Sequence, residues 1–349
     1  MSAADYQSAG VDIAAGDETV RRIAPLARST FDDTVLAGIG SFGSFVDLGP
    51  VLREYRHPVL VQSIDGVGTK VAVARRAGSF HGIGRDVVSA TVNDILVHGA
   101  RPLTFLDYLA TERLDPAIAE EIVAGMAANC RENNLPLVGG ETAEMPSTYR
   151  EGEHDVVGCV TGVVERDQIV NGSTVEVGDR LLGLPSNGLH TNGYSLARKV
   201  FFEIAGLGVG DRPEDLGETV GAALLRPHLN YRKPVEALLA SGAEVRGMAH
   251  ITGGGIPGNL GRILPAGTAA EVETASWEIP PVFRVLAALG EVARPEMFRT
   301  FNMGIGLIAV VAPEDEARAR EALNAAGSGA LPIGTVVPGG GEVHLAGRP

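Results

Sequence analysis

The stretch VLVQSIDGVGTK, residues 59–70, shows the pattern on which the fold is built. A short β-branched run ends in a glycine-rich turn that carries Asp65, Thr69 and Lys70. Such a run predicts a strand, and the glycines predict a loop at its end. The same pairing of strand and glycine turn returns in LPLVGGE (135–141) and DRLLGLPSNG (179–188). We therefore expect polar side chains at the ends of several strands.

Helices alternate with these strands. Residues 115–130 predict the clearest helix, with Asp115 at the N-cap, Pro116 at the first position, and Ile122 on an apolar stripe that runs to Cys130. Cys130 is expected in the core. Other predicted segments are a strand at 156–164, a helix from about Ser195 to Ile204, and a strand followed by a helix within 303–327. The alternation predicts an α/β (α+β) fold in two domains, 1–170 and 171–349.

Composition narrows the classes of function. The 349 residues carry a net charge of −14, which argues against a nucleic-acid partner because such proteins need a basic face. Glycine supplies 46 residues, almost twice the average usage of roughly 7%. Two cysteines make no disulfide framework. The acidic start shows no signal peptide and no run is long enough to span a membrane, so we expect a cytoplasmic protein.

One glycine motif suggests a dinucleotide site. GIGSFG (38–43) matches the G-x-G-x-x-G pattern, and Asp65 follows at about the spacing of a ribose-binding acid. No βαβ unit fits the interval, however, since the preceding strand is weak and SFVDLGP has no helical period. A nicotinamide-dependent oxidoreductase is therefore kept only as an alternative to a glycine loop that serves another ligand.

Three acidic residues beside glycine turns suit a metal–phosphate site. Asp65 precedes a turn whose backbone N–H groups and Lys70 suit a phosphate. Asp94 lies in the apolar stretch 92–100, and Glu141 directly follows a glycine pair. Mg²⁺ bound to ATP takes carboxylate ligands of this kind. Each acid alone is more often a cap or turn residue, and it is the three together that favour a functional site.

Two later glycine turns resemble anion sites. SNGLHTNGYSLARK (186–199) places His190 and Asn192 before a helix, and HITGGGIPGNLGR (250–262) adds Thr252 and Asn259. Taken alone, His190 and His250 are more readily explained as capping or core histidines.

Taken together, these strings closely resemble the phosphoribosylformylglycinamidine cyclo-ligase (aminoimidazole ribonucleotide synthetase) family. The resemblance runs from about residue 6 to the C-terminal region and is carried above all by HGIGRDVVSATVNDILVHGARPLTFLDY (81–108) and GGETAEMP (139–146). It implies a homodimer whose N-terminal domains bind ATP and pair through their sheets, with C-terminal domains on the substrate side. It also implies ATP-dependent ring closure of 5-phosphoribosylformylglycinamidine to 5-aminoimidazole ribonucleotide, through an iminophosphate, in purine biosynthesis.

The resemblance also implies roles for particular residues. Catalytic roles would fall to His190, Lys70 and Asp65, and Mg²⁺ would be held by Asp65, Asp94 and Glu141. Contacts to ATP and its phosphates are expected from Gly10, Asp12, Gly66, Gly68, Thr69, Lys70, Asn93, Gly139, Gly140 and Thr142. Contacts to the substrate are expected from His190, Thr191, Asn192, Gly193, Thr252, Gly253, Gly254 and Asn259.

Three positions depart from the family pattern. Thr191 stands where Ser is usual, and His228 and Asn230 stand where Thr and Ile are usual. The alternatives within the same fold are the amidotransferase of the preceding purine step, selenophosphate synthetase and thiamine-phosphate kinase. A non-catalytic nucleotide-binding dimer is an alternative of another class.

Overall fold

The computed structural model describes Tyr6 and residues 9–347. The first residues, on which the expectation of no signal peptide partly rests, lie outside this range. The chain divides into two compact units. The first comprises residues up to Val92 together with Arg101–Arg166, and the second comprises Asn93–Ala100 together with the residues from Asp167 onward. The sequence around Asn93 showed no sign that this short segment groups with the second unit.

The first unit is built on a four-stranded mixed sheet of order β3-β6-β4-β5, with a separate two-stranded β1-β2 hairpin. Its strands are β1 (Val35–Ala37), β2 (Phe45–Val46), β3 (Pro58–Gly66), β4 (Arg101–Thr111), β5 (Leu137–Glu144) and β6 (His154–Glu165). Its helices are α1 (Ile13–Arg28), α2 (Gly49–Leu52), α3 (Val71–Ala77), α4 (His81–Leu96) and α5 (Pro116–Glu132). Helix α4 thus begins in the first unit and ends in the second.

The predicted helix at 115–130 is confirmed as α5. The Asp115 side chain accepts a hydrogen bond from the Ala117 N–H, and Pro116 stands at the first position, where its missing N–H costs nothing. Ile122, Met126 and Cys130 are fully buried. The core position expected for Cys130 is therefore confirmed.

Helices α4 and α5 pack at glycine contacts. A Cβ added to Gly84 would lie 1.8 Å from the Ile122 carbonyl oxygen, and one added to Gly125 would lie 1.9 Å from the His81 carbonyl oxygen. Because real Cβ atoms do not approach backbone this closely, the two helices meet at a distance that only glycine permits.

The second unit is built on a six-stranded sheet of order β12-β9-β11-β7-β10-β8, antiparallel except where β12 pairs with β9. Its strands are β7 (Arg180–Pro185), β8 (Val245–His250), β9 (Gly267–Glu273), β10 (Ile305–Val311), β11 (Leu331–Gly339) and β12 (Val343–Ala346). Its helices are α6 (Tyr194–Arg198), α7 (Val220–Leu225), α8 (Arg232–Ala240), α9 (Gly255–Leu260), α10 (Pro281–Gly290), α11 (Arg294–Thr300) and α12 (Glu316–Ala325). Strand β10, which pairs with β7 and β8, is buried along its whole length and belongs to the core.

The helix expected over 195–204 takes two forms. Helix α6 ends at Arg198, and the next turn, Lys199–Ile204, is a π-helix. The strands expected at 59–65, 156–164 and within 179–188 and 303–311 are confirmed as β3, β6, β7 and β10. A strand also forms near 135–141, but the glycine turn expected at its end is wrong, because Gly139 and Gly140 lie within β5 and pair with Leu106 and Asp107. In the described part of the chain, no helix is both long and apolar enough to cross a membrane.

Candidate functional site

A pocket of about 730 Å³ opens in the first unit. It lies among helix α1, the GIGSFG loop and the adjoining strands β4 and β5. The residues that line it include Gly16, Val20, Gly38, Gly40, Phe42, Leu106, Asp107, Gly139, Gly140, Glu141 and Thr142. Four of the predicted ATP or metal contacts, those at 139–142, therefore lie in one cavity.

The GIGSFG loop does not have the setting of a dinucleotide fingerprint. It connects strand β1 to the antiparallel strand β2, whereas the fingerprint requires a strand followed by a helix. Its glycines instead expose backbone along one wall of the pocket. The structure thus argues against the nicotinamide-dependent alternative.

Asp65 and Asp107 lie in one row across the sheet. Asp65 on β3 pairs with Gly158 on β6, and the same glycine pairs with Asp107 on β4, which in turn pairs with Gly140 on β5. Paired residues point to the same face of a sheet. The register therefore places both carboxylates on one face, with glycines at the other two positions.

Asp107 was not among the predicted site residues. Burial raises the pKa of its carboxyl to about 7, against a hydrogen bond from its own backbone that lowers it. Its Oδ1 atom would lie 2.2 Å from a Cβ on Gly140, so it sits directly over that glycine. The signal in the sequence was an acid inside the apolar strand PLTFLDYLA. Such an acid at a pocket is a candidate functional group.

Lys70 lies inside the first unit, with its side chain fully buried. Its Nζ is 2.8 Å from Asp86 Oδ2 and 2.9 Å from Oδ1, and neither side chain is exposed. Burial lowers the pKa of the Lys70 ammonium, while the Asp86 carboxylate raises it. In this conformation its charge faces a carboxylate within the protein and not a solvent-borne phosphate. The turn before it forms a short 3₁₀-helix, Gly68–Lys70, in which Gly68 has a φ of 66°.

The predicted metal ligands are not assembled into a cluster. Among the described residues, no three His, Cys, Asp or Glu side chains are grouped so that they could hold a metal ion. Asp65 Oδ1 accepts a hydrogen bond of 2.7 Å from the Gly66 N–H. Glu141 is exposed and lines the pocket. Asp94 belongs to the second unit, where its carboxylate bonds to His250.

Asp12 and Gly10, two of the predicted ATP contacts, lie at and just before the start of α1, where they contact other parts of the first unit. The Asp12 carboxylate caps α1 by accepting hydrogen bonds from the N–H groups of Ala14 and Ala15. Its own N–H donates to Glu144 Oε2 at 2.5 Å. Gly10 has a φ of 96° and lies against Pro146. An N-cap aspartate is the simplest account of Asp12, and its predicted role in ATP binding stays a prediction.

In the second unit, the two predicted substrate loops adjoin. A Cβ on Gly253 would lie 3.3 Å from Asn192 Oδ1. The Asn259 side chain donates to the carbonyls of Thr252, Gly253 and Gly255 and so holds the second loop in place. The structure therefore brings residues 190–193 and 252–254 together, with Asn259 acting on the loop backbone.

Three buried histidines lie in or beside these loops. His190, at a φ of 61°, stacks on His228 with ring centroids 4.0 Å apart. The Nε2 atoms of His228 and His250 are 3.1 Å apart, and His250 Nδ1 is 2.8 Å from Asp94 Oδ1. A left-handed backbone at a residue other than glycine costs energy and is typical of functional sites.

Asn93 supports this cluster. Its side chain is fully buried, donates to the Leu229 carbonyl and accepts from the Tyr231 N–H, both at 2.9 Å. Its amide is thus bonded to the backbone on either side of Asn230, and its predicted contact with ATP stays a prediction.

Comparison with known proteins agrees with this architecture. Residues 51–164 match the "AIR synthase related protein, N-terminal domain" and residues 176–346 match the corresponding C-terminal domain. The chain is 51% identical over 337 residues to "Phosphoribosylformylglycinamidine cyclo-ligase" of Myxococcus xanthus, covering 97% of each chain. It is 45% identical to the protein of the same name from Alkaliphilus oremlandii, covering 97% of this chain and 99% of the relative.

Solved structures show the same fold at low sequence identity. Thiamine-monophosphate kinase from Stenotrophomonas maltophilia is similar with a TM-score of 0.69 at 20% identity, covering 95% of this chain and 96% of that chain. The hydrogenase maturation protein HypE in complex with ATP has a TM-score of 0.68 at 20% identity, covering 93% and 90%. With both domains matched in order and nearly its whole length shared with these relatives, the chain belongs to the AIR synthase related protein family.

Proposed function

We propose that this protein catalyses the ATP-dependent ring closure of 5-phosphoribosylformylglycinamidine to 5-aminoimidazole ribonucleotide, with release of ADP and phosphate. The observation that carries the proposal is the match over nearly the full length to proteins named for this reaction. The neighbouring fold that holds ATP, although distant in sequence, is consistent with it. The protein would act as a ligase of purine biosynthesis in the cytoplasm.

The chemistry explains why ATP is needed. The oxygen of an amide is a poor leaving group, so the γ-phosphoryl group of ATP is transferred to it and gives an iminophosphate. The amidine nitrogen then attacks that carbon, the C–O bond breaks, and phosphate leaves with the former amide oxygen. An enzyme for this sequence mostly positions groups and neutralises charge.

We place the ATP phosphates at the pocket of the first unit. Support comes from the backbone of Gly139, Gly140 and the GIGSFG loop along its walls, which suits close approach by phosphate oxygens. Mg²⁺ commonly takes one or two carboxylates and completes its shell with water and phosphate oxygens, so a preformed protein cluster is not required. Glu141, exposed in the pocket, fits this role. Asp65, which is not among the residues that line the pocket, and Asp94, which bonds to His250, stay predicted ligands.

We place the substrate at the loops 190–193 and 252–254 of the second unit. Support comes from their contact with each other and from the buried histidines beside them. His190 stays the proposed group for proton transfer.

The direct test is incubation of the protein with Mg²⁺–ATP and phosphoribosylformylglycinamidine. We expect ADP and the aromatic amine of aminoimidazole ribonucleotide to form in equal amounts. ATP hydrolysis or binding without the amine would assign the chain another acceptor, as in a kinase of this fold. Absence of ATP binding would refute the proposal.

Asp65→Asn tests the metal–phosphate assignment. We expect turnover to fall roughly 100-fold or more with an unchanged thermal unfolding curve, because a ligand to the metal–phosphate group is lost. Asp33→Asn, at an exposed aspartate of the same unit, is the matched control and should keep full activity. Unchanged Mg²⁺-dependent turnover in Asp65→Asn would remove Asp65 from the site.

We also propose that the protein is a homodimer that pairs through the sheet of the first unit. On the open face of that sheet, Leu60 is 59% exposed, Ile64 is 71% exposed and Leu106 is 39% exposed. The register places Cys159 between Ile64 and Leu106 on the same face. Exposed apolar side chains on an open sheet face suit a partner surface, and a second copy would present the same residues to it.

A further inference from the structure

A chain of hydrogen-bonded side chains in the second unit runs from Asp94 to Thr191 through two histidines. Asp94 Oδ1 lies 2.8 Å from His250 Nδ1, the two histidine Nε2 atoms lie 3.1 Å apart, and His228 Nδ1 lies 3.3 Å from Thr191 Oγ1. His228 and His250 are buried, at 3% and 6% exposure. His228 is therefore the link between an acid and a residue of the proposed substrate loop.

The positions of the hydrogens follow from the acid end. A neutral imidazole carries one N–H, and the nitrogen that faces a carboxylate carries it. With both rings neutral, His250 donates from Nδ1 to Asp94, and its unprotonated Nε2 accepts from His228 Nε2. His228 Nδ1 then carries no hydrogen and accepts a hydrogen bond from the Thr191 hydroxyl. Asn93 Nδ2 also approaches His228 Nε2 at 3.3 Å, but its shorter contact, 2.9 Å, is to the Leu229 carbonyl.

We propose that His228 is a positioning residue that fixes the Thr191 hydroxyl as a hydrogen-bond acceptor for the substrate. When the Thr191 hydroxyl hydrogen is directed at His228, the lone pairs of the Thr191 oxygen are left to accept a hydrogen bond from the substrate. That oxygen would therefore bind an N–H or O–H donor, such as an amidine N–H. This inference rests on the proposed placement of the substrate at residues 190–193.

The surroundings of His228 suit such a role. His190 stacks on one face of its ring, and Asn93 holds the backbone of Leu229 and Tyr231. Asn192 Nδ2 also approaches Thr191 Oγ1, at 3.5 Å, and as a donor it competes for the same lone pairs. A ring held on several sides keeps one orientation, which is what positioning of a neighbouring hydroxyl requires.

Two substitutions at His228 distinguish the roles of its two ring nitrogens. In His228→Asn the side-chain oxygen replaces Nδ1 and still accepts from Thr191, whereas in His228→Gln the polar group replaces Nε2 and the contact with Thr191 is lost. We expect the KM for phosphoribosylformylglycinamidine to stay within about 2-fold in His228→Asn. It should rise roughly 3- to 10-fold in His228→Gln and Thr191→Val, with kcat less affected. Thr191→Ser keeps the hydroxyl and should therefore keep the wild-type KM. His344→Asn, at an exposed histidine of the same unit, is the control and should also keep it.

The double variant decides whether the two residues act together. If His228 acts through Thr191, His228→Gln with Thr191→Val raises the KM no further than Thr191→Val alone. A raised KM in Thr191→Val with a wild-type KM in His228→Gln would overturn the inference and leave the proposed substrate site intact. A wild-type KM in Thr191→Val would refute the placement of the substrate at this loop and the inference with it.

A measurement on the unsubstituted protein guards against variants that fail to fold. The ¹⁵N spectrum of the histidine side chains at neutral pH should show His228 with its hydrogen on Nε2 and with Nδ1 unprotonated, the His228 signals being assigned through their proximity to Thr191. A hydrogen on Nδ1 would make Thr191 the acceptor within the chain and would overturn the inference.

Discussion

Three ionisable side chains of the first unit, those of Lys70, Asp86 and Asp107, lie in surroundings that remove them wholly or largely from solvent. Lys70 and Asp86 form an ion pair with no exposed side-chain surface. Asp107 lies over Gly140 at the pocket, with a pKa that burial raises. Because the energy of a buried charge depends on its partner, substitutions at these positions have large and distinguishable effects.

Lys70→Met should destabilise the protein by roughly 3–5 kcal/mol, because it leaves the Asp86 carboxylate buried without its cation. Lys70→Met combined with Asp86→Leu should recover most of that loss, since an apolar pair of similar volume replaces the ion pair. Urea denaturation measures both. ATP affinity of the stable double variant then tests the direct phosphate contact: wild-type affinity would show that Lys70 acts only within the fold.

Asp107 should make stability depend on pH. Its pKa is about 7 in the folded protein and near the ordinary 3.8 when unfolded, so the native state binds the proton more tightly. The resulting stabilisation is complete below about pH 4 and is lost as the pH rises through about 7. Relative to Asp107→Asn, the wild-type free energy of unfolding should fall over this range, and Asp33→Asn should keep the wild-type slope. Parallel slopes for wild type and Asp107→Asn would contradict the assignment.

At the scale of elements, the packing of α4 on α5 depends on Gly84 and Gly125. Gly125→Ala places a methyl group against the His81 carbonyl, and backbone cannot yield as a flexible side chain can. We expect a loss of roughly 1–3 kcal/mol or more. Gly16→Ala, within α1 where an added Cβ meets nothing within 4 Å, is the matched control and should stabilise by about 0.5–1 kcal/mol. Equal stabilities for the two variants would show that the helices adjust without cost.

Elements were well predicted from the sequence wherever the information was local. Asp115, Pro116 and the apolar stripe to Cys130 define α5 within one short segment, and the β-branched run before the glycine turn defines β3 in the same way. The pair Gly139–Gly140 misled the prediction, because it lies within β5 and not in a turn. The contacts of the candidate site are different because they join distant positions. Nothing near His228 indicates that it meets His250 and Thr191, and nothing near Lys70 indicates that Asp86 neutralises it.

At the scale of the whole molecule, the open sheet face predicts the state of association. Ile64→Glu places a charge on the proposed interface at its most exposed apolar side chain, so sedimentation should change from dimer to monomer. Val177→Glu, at an exposed valine of the second unit, should leave the dimer intact. Cys159 should react with a thiol reagent faster in Ile64→Glu than in the wild type, since Cys130 is buried and does not compete. A monomeric wild type would refute the sheet pairing.

Because Asn93–Ala100 belongs to the second unit, that unit is not one continuous piece of the chain. A cut between Arg166 and Asp167 would leave residues 93–100, with Asn93 and Asp94 among them, on the N-terminal fragment and separate them from the rest of the second unit. A second unit cut out at this point would therefore lack a segment with which it makes contacts. A fragment of residues 167–349 should accordingly be unstable by itself, and a version that carries residues 93–100 on a linker at its start should be markedly more stable.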